Sequence, residues 1–362
     1  MNDATIYKTP FHPCWTETLL AWYRSGRRDL PWRDKPDPYL ILVSEIMGQQ
    51  TRMAVLVPYF ERFVKRLPTI ADLARVDEDV LFKLWEGLGY YRRAVNLKKA
   101  AVLVRERYGG VIPNTREELM TLPGVGAYTA GAILSIAFGV FEPAIDGNVR
   151  RVIARQFGID RSPASPDGSA VIEAIVRHHA PIGESADYTQ ALMELGALVC
   201  LPNGIPLCQA CPGRETCVAR REGRIDELPV QSTKKARRIE PITILAIRMI
   251  DGSILFERRP KGGLLGGMRG LYAIPGTLSI DELSRLCENR GIGIDSIVPL
   301  TSRKHVFTHV EWHMTGYLAT VRGPLPPEAG EVFKPSEIAS GVAVASAFQG
   351  FLAEILKHPQ SS

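Results

Sequence analysis

The chain has 362 residues, enough for two domains at about 150 residues each, and its 45% hydrophobic and 23% charged content is that of a globular protein rather than a disordered or fibrous one. No apolar run approaches the roughly 20 residues that a bilayer-crossing helix needs. Met1 to Pro13 lack the basic-then-apolar layout of a secretory leader, so the cytoplasm, or the nucleoid within it, is the expected compartment. The net charge of +5 suits a polyanionic partner without requiring one.

Tyr39 to Met47 read as an apolar helical run interrupted by one acid, Glu45 of "SEIMGQQT" (44–51). A carboxyl so placed is poorly solvated and stays protonated, as a general acid requires; a buried salt bridge is the plainer alternative. Ala94, Leu97, Ala101, Val104 and Tyr108 recur at helical spacing until Gly109-Gly110 stop the pattern. In "LPGVGAYT" (122–129), Gly124 and Gly126 open a turn onto a helix whose free N–H groups favour a phosphate. With Leu122-Pro123 before it and a small-residue helix after it, the stretch reads as the second half of a helix–hairpin–helix, which grips DNA backbone; an ordinary interhelical turn is the alternative. In "AIDGNVR" (144–150), Asp146 precedes a helical run and fits an N-cap that stays ionised. One neutral and one charged carboxyl form the pairing that breaks a glycosidic bond.

Four of the six cysteines, Cys200, Cys208, Cys211 and Cys217, cluster in "CLPNGIPLCQACPGRETC" (200–217). Without a secretion signal a disulfide framework is the weakest reading, which leaves zinc or an iron–sulfur cluster. "LPVQSTKKARRIEP" (228–241) is basic, polar and bounded by prolines, as a linker would be. Beyond it "ITILAIRMI", Asp251-Gly252 and "SILFERR" read as strand, tight turn, strand. "VFTHVEW" (306–312) reads as an alternating strand with an aromatic face. The expected organisation is a mainly helical domain over 1–230, a basic linker over 231–241 and a smaller α/β domain over 242–358.

Taken together, "DLPWR", "SEIMGQQT", "GLGYYRRA", "LPGVGAYTAGAI", "DGNVRRV", "ELGALVC" and "HVFTHVEW" resemble, in order, the MutY adenine DNA glycosylases of the endonuclease III helix–hairpin–helix superfamily. The resemblance implies two helical subdomains with a [4Fe–4S] cluster held by the four cysteines, followed by a Nudix-like recognition domain. It implies removal of adenine opposite 8-oxoguanine or guanine in double-stranded DNA. Glu45 would protonate the base, Asp146 would stabilise the sugar cation, and Tyr128 and Asn148 would bond Asp146 and the developing charge. Tyr128 stands where strand-nicking relatives carry lysine, which implies a monofunctional enzyme. Gln50, Thr51, Leu88 and Tyr90 would invade the stack and cradle the opposite base, and Phe307, Thr308 and His309 would read it.

Three departures are visible. Seven residues, none of them basic, separate Cys200 from Cys208 where the family has six; Gly48 replaces a common leucine; and the Nudix hydrolase box is missing after "GLYAIPG". The last implies recognition without phosphohydrolase activity. A thymine–guanine mismatch glycosylase and a non-catalytic iron–sulfur DNA-binding module are the competing readings, and a monomer is expected.

Overall fold

The computed structural model describes residues 13–33, 36–230, 236–260, 263–340 and 342–358. Residues 1–12, read above as lacking a leader, and 231–235 of the expected linker lie outside the described residues. The chain divides into two units, Met1–Arg75 with Val95–Thr233 and Val76–Ala94 with Lys234–Ser362.

The first unit is helical: α1 (Pro13–Gly26), α2 (Pro38–Gly48), α3 (Met53–Arg66), α4 (Ile70–Arg75), then, after α5 (Glu78–Trp85) of the second unit, α6 (Arg92–Arg107), α7 (Arg116–Leu119), α8 (Ala127–Ala137), α9 (Gly147–Phe157), α10 (Pro166–His178), α11 (Ser185–Leu198) and α12 (Val218–Arg221). Helix α2 starts where Asp37 accepts the Tyr39 and Leu40 N–H groups, with Pro38 at its first position. It is buried on nearly every side and packs on α8. Helix α6 buries Ala94, Leu97, Ala101 and Val104, and the Gly110 N–H closes it onto the Val104 carbonyl, with Gly109 and Gly110 at positive φ. A second core joins α1, α9, α10 and α11 around Trp15, Leu19, Ile153, Tyr188 and Leu192. Each such side chain contributes about 1.5–3 kcal/mol when withdrawn from water.

The second unit holds α5 and a seven-stranded sheet: β1 (Arg238–Met249), β2 (Ile254–Arg258), β3 (Arg269–Gly270), β4 (Tyr272–Pro275), β5 (Ile294–Val306), β6 (Val310–Val321) and β7 (Glu331–Phe333). Along the main path the order is β3-β2-β1-β6-β5, with β4 pairing β1 and β7 pairing β2. Strands β1 and β6 run parallel over their full length, and the other pairs are antiparallel. Strand β1 is buried on both faces from Ile242 to Arg248. Helix α13 (Ile280–Asn289) covers one face through Leu283 and Cys287. The short α14 (Pro335–Ser340) leads to α15 (Ser346–Ile355), whose Phe348 and Phe351 rings lie where a Cβ on Gly270 or Gly316 would sit.

Candidate active site and thiol cavity

The cap of α9 sets Asp146. Its Oδ1 accepts the Val149 N–H at 2.7 Å and its Oδ2 accepts the Asn148 amide at 3.0 Å. The other face of Asn148 is held as well, since Arg151 donates to its Oδ1 at 2.8 Å, to the Gly196 carbonyl at 2.9 Å and to the Cys200 carbonyl at 2.8 Å. Gly196 on α11 is what admits Asn148 this closely: a Cβ there would stand 2.6 Å from the Asn148 Cβ. Neither Arg151 nor Gly196 was visible as a site residue in the sequence, because their roles depend on α9 crossing α11. Their only signals were the stretches "DGNVRRV" and "ELGALVC".

Glu45 on α2 faces Tyr128 on α8. Both, like Asp146 and Asn148, are partly accessible, whereas Ser44, Ile46 and Met47 beside Glu45 and Thr129 and Ala130 after Tyr128 are buried. Burial pushes the Glu45 carboxyl up to about 7; the hydrogen bond from the Tyr128 hydroxyl opposes this, and the Asp146 charge adds to it. That coupling brings Glu45 and Asp146 into one electrostatic site. One expectation is corrected here. Tyr128 bonds Glu45 rather than Asp146, although it feels both charges, and its hydroxyl also lies 3.8 Å from Met193 Sδ. Asp146 keeps the N-cap read from the sequence; burial raises its carboxyl from the ordinary value, and the Val149 and Asn148 hydrogen bonds offset burial without reversing it. At the start of α9, desolvation of the Asp146 carboxyl outweighs the cap.

At the end of α2, Gln50 is exposed at φ 58 and the Thr51 N–H closes onto the Gly48 carbonyl. Beside them Gln49 reaches Thr129 on α8 at 3.5 Å. Gly48 opens no void, as a Cβ there would rest at 3.4 Å from Leu56. In the hairpin between α7 and α8, Gly124 takes φ 85 directly over Asn96 of α6, where a Cβ would come within 3.0 Å. Gly126 caps α8 with no side chain of its own, and Gly124, Gly126 and Ala127 are exposed. Backbone donors at such a helix start face solvent, as a phosphate contact requires.

Cys200, Cys208, Cys211 and Cys217 are free thiols lining one cavity, walled by Val152, Leu195, Val199 and Pro206 and rimmed by Arg155, Arg214 and Arg220. The disulfide alternative is therefore not realised. Burial pushes the Cys211 thiol up to about 12, and the charges of the other three cysteines add to this; burial raises Cys217 too. Four thiolates here would repel one another unless a cation compensates them, so the donor set suits a metal group. Among the described residues, no group of three or more His, Cys, Asp or Glu is drawn together as a single ion would require. Arg155 lies 3.5 Å from the Cys200 sulfur, and the Cys217 thiol donates to the Arg155 carbonyl.

In the second unit Leu88 is buried, whereas Tyr90 is half exposed at φ 48. Gln50, Tyr90 and Leu265 are the non-glycine residues at positive φ among the described residues, and such strain collects at functional segments. The expected alternating strand through "VFTHVEW" is instead a turn: β5 ends at Val306, β6 begins at Val310, and the Phe307 N–H bonds the Val310 carbonyl at 2.8 Å. Phe307 packs edge-on to Trp312, which leaves Thr308 and His309 exposed at the tip.

A family model described as HhH-GPD superfamily base excision DNA repair protein matches residues 43–176, and a NUDIX domain model matches 243–354. Adenine DNA glycosylase of Buchnera aphidicola subsp. Baizongia pistaciae is 33% identical over 297 residues, covering 81% of this chain and 82% of that protein. Adenine DNA glycosylase of Homo sapiens is 41% identical over 220 residues, 58% of this chain and 40% of that protein. The solved structure of a thermostable thymine-DNA glycosylase superposes with a TM-score of 0.53 at 30% identity, over 61% of this chain and all of that one. No described helix is long and apolar enough to cross a membrane. The chain belongs to the adenine DNA glycosylase family of the HhH-GPD superfamily, DNA-binding base-excision repair enzymes that cleave N-glycosyl bonds.

Proposed function

We propose that the enzyme excises adenine paired with 8-oxoguanine or guanine and leaves an intact abasic site. The observation that carries this is Glu45, held near 7, within reach of the Asp146 charge and bonded to Tyr128. A flipped adenine would sit between the two carboxyl groups. Glu45 gives its proton to the base and makes it a better leaving group. Asp146, oriented by Val149 and Asn148, faces the sugar and stabilises the positive charge that develops there. Tyr128 has no amine with which to form a Schiff base, so no strand cleavage follows. The exposed Gly124, Gly126 and Ala127 hold the DNA backbone, Gln50, Thr51, Leu88 and Tyr90 contact the opposite base, and Thr308 in the Phe307–His309 turn reads its edge.

The four cysteines would hold a [4Fe–4S] cluster, which suits their shared cavity, its apolar wall and its arginine rim. When bound, the cluster supplies a rigid, charge-compensated scaffold for the 200–217 loop. Through the Cys200 carbonyl and Arg151, that loop also meets Asn148.

Single-turnover excision on duplexes with adenine or thymine opposite guanine or 8-oxoguanine tests the reading. Adenine is expected to be released from both adenine pairs, with strand breaks only after alkali treatment. Thymine release, or breaks without alkali, would refute it.

A further inference from the structure

Residues 76–94 lie inside the stretch matched by the HhH-GPD model, yet they group with the β-sheet unit. One ion network ties them there. Asp79, in the first turn of α5, receives Arg269 of β3 in a fork, 2.9 Å from Nη1 and 3.0 Å from Nη2, and Arg258 of β2 at 3.2 Å. Glu331 of β7 accepts from the Nε of both arginines, at 2.7 and 2.8 Å. Two carboxylates and two guanidinia close a charge-neutral ring, and the Arg269 side chain is only 10% exposed. A forked, shared arrangement of this kind resists rotation as a lone surface pair does not. Capping does not account for it, because Asp77 caps α5 by accepting the Asp79 N–H.

From α5 the rigidity continues to Tyr90. Trp85 is buried and its indole donates to the Gly89 carbonyl at 3.1 Å. Arg93 donates to the Leu88 and Gly89 carbonyls, and its guanidinium lies 5.4 Å from the Tyr90 ring and 5.5 Å from that of Trp85. The strained, exposed Tyr90 therefore sits on a segment with little internal freedom. The sheet to which that segment is tied also carries the 307–309 turn.

We propose that Asp79 is a positioning residue for discrimination of the opposite base: through Arg258 and Arg269 it locks the Tyr90 segment to the sheet bearing Thr308, so that both probes meet the DNA as one body. The proposal rests on the reading that these two segments contact the opposite base. The full-length enzyme and its Asp79→Asn variant are compared in two measurements: single-turnover excision of adenine opposite 8-oxoguanine and opposite guanine, and backbone amide exchange across residues 86–91. Asp79→Asn should lower the ratio of the two rates about tenfold, keep the rate opposite guanine within about twofold, and speed exchange at 86–91. Arg258→Gln, which spares the Arg269 fork, should shift the ratio in the same direction by less.

An unchanged ratio overturns the proposal whether or not exchange speeds up, and so does an equal loss on both substrates. A wild-type enzyme with equal rates on the two pairs overturns the opposite-base reading itself, a result distinct from any variant effect.

Discussion

At the scale of single residues, the site depends on Glu45 being an acid that its surroundings keep protonated. The cause is desolvation by α2 and its neighbours, partly opposed by the Tyr128 hydroxyl. Such a residue burdens the fold, and the sign can be worked out. Below about pH 4.5 both folded and unfolded chains hold the proton, so the position is neutral. Between there and about 7 the unfolded chain releases it and the folded chain does not, so stability falls as pH rises and then levels off. Glu45→Gln should therefore abolish excision yet raise stability at pH 8, by up to about 3 kcal/mol, with little change at pH 4. Denaturant unfolding at the two pH values checks this. Equal stability at pH 8 would mean that folding does not raise the Glu45 carboxyl above its ordinary value, which would leave it ionised at neutral pH and unsuited to its role.

At the scale of elements, α9 and α11 make the site by coming unusually close. Asp146 could be read from the sequence as a cap because capping is local, a matter of one side chain and the N–H groups that follow it. Gly196 could not, because the atom it avoids belongs to Asn148, far away along the chain. Gly196→Ala should push Asn148 off the Asp146 carboxylate, slow excision at least tenfold and cost about 1–3 kcal/mol, the usual penalty for overpacking. Measuring the rate beside the unfolding free energy separates the two effects; full activity would show that α11 can shift without disturbing Asn148. The turn at 307–309 teaches the converse lesson. Its alternating pattern reads as one strand, but β5 and β6 are separate antiparallel strands, and the residues at the tip point to solvent.

Across the helical unit, one buried anion ties the N-terminal segment to the site helices. Glu194 on α11 has a side chain 1% exposed and accepts from Arg28 and Arg33 at 2.7 Å each. Burial alone would raise it, but the two guanidinia outweigh burial and hold it down to about 2. Its contribution is present above about pH 4.5 and is lost as pH falls toward 2. Glu194→Gln leaves two guanidinia facing an uncharged amide and should cost about 3–5 kcal/mol at pH 7. The gap between variant and wild type should close on acidification. A constant gap from pH 7 to pH 3 would assign the loss to packing instead.

The sequence alone determined what depends on neighbours in the chain: the helices, the Asp146 cap, the glycine turn, the cysteine spacing and the change from helical to strand periodicity near residue 240. Those features follow from backbone hydrogen bonding and side-chain period, which act over a few residues. Only the tertiary structure decided that Tyr128 bonds Glu45, that burial outweighs the cap at Asp146, that Gly196 makes room for Asn148, and that Asp79 binds α5 to the sheet. Each of these depends on two distant segments meeting, and desolvation and steric exclusion act only once they do.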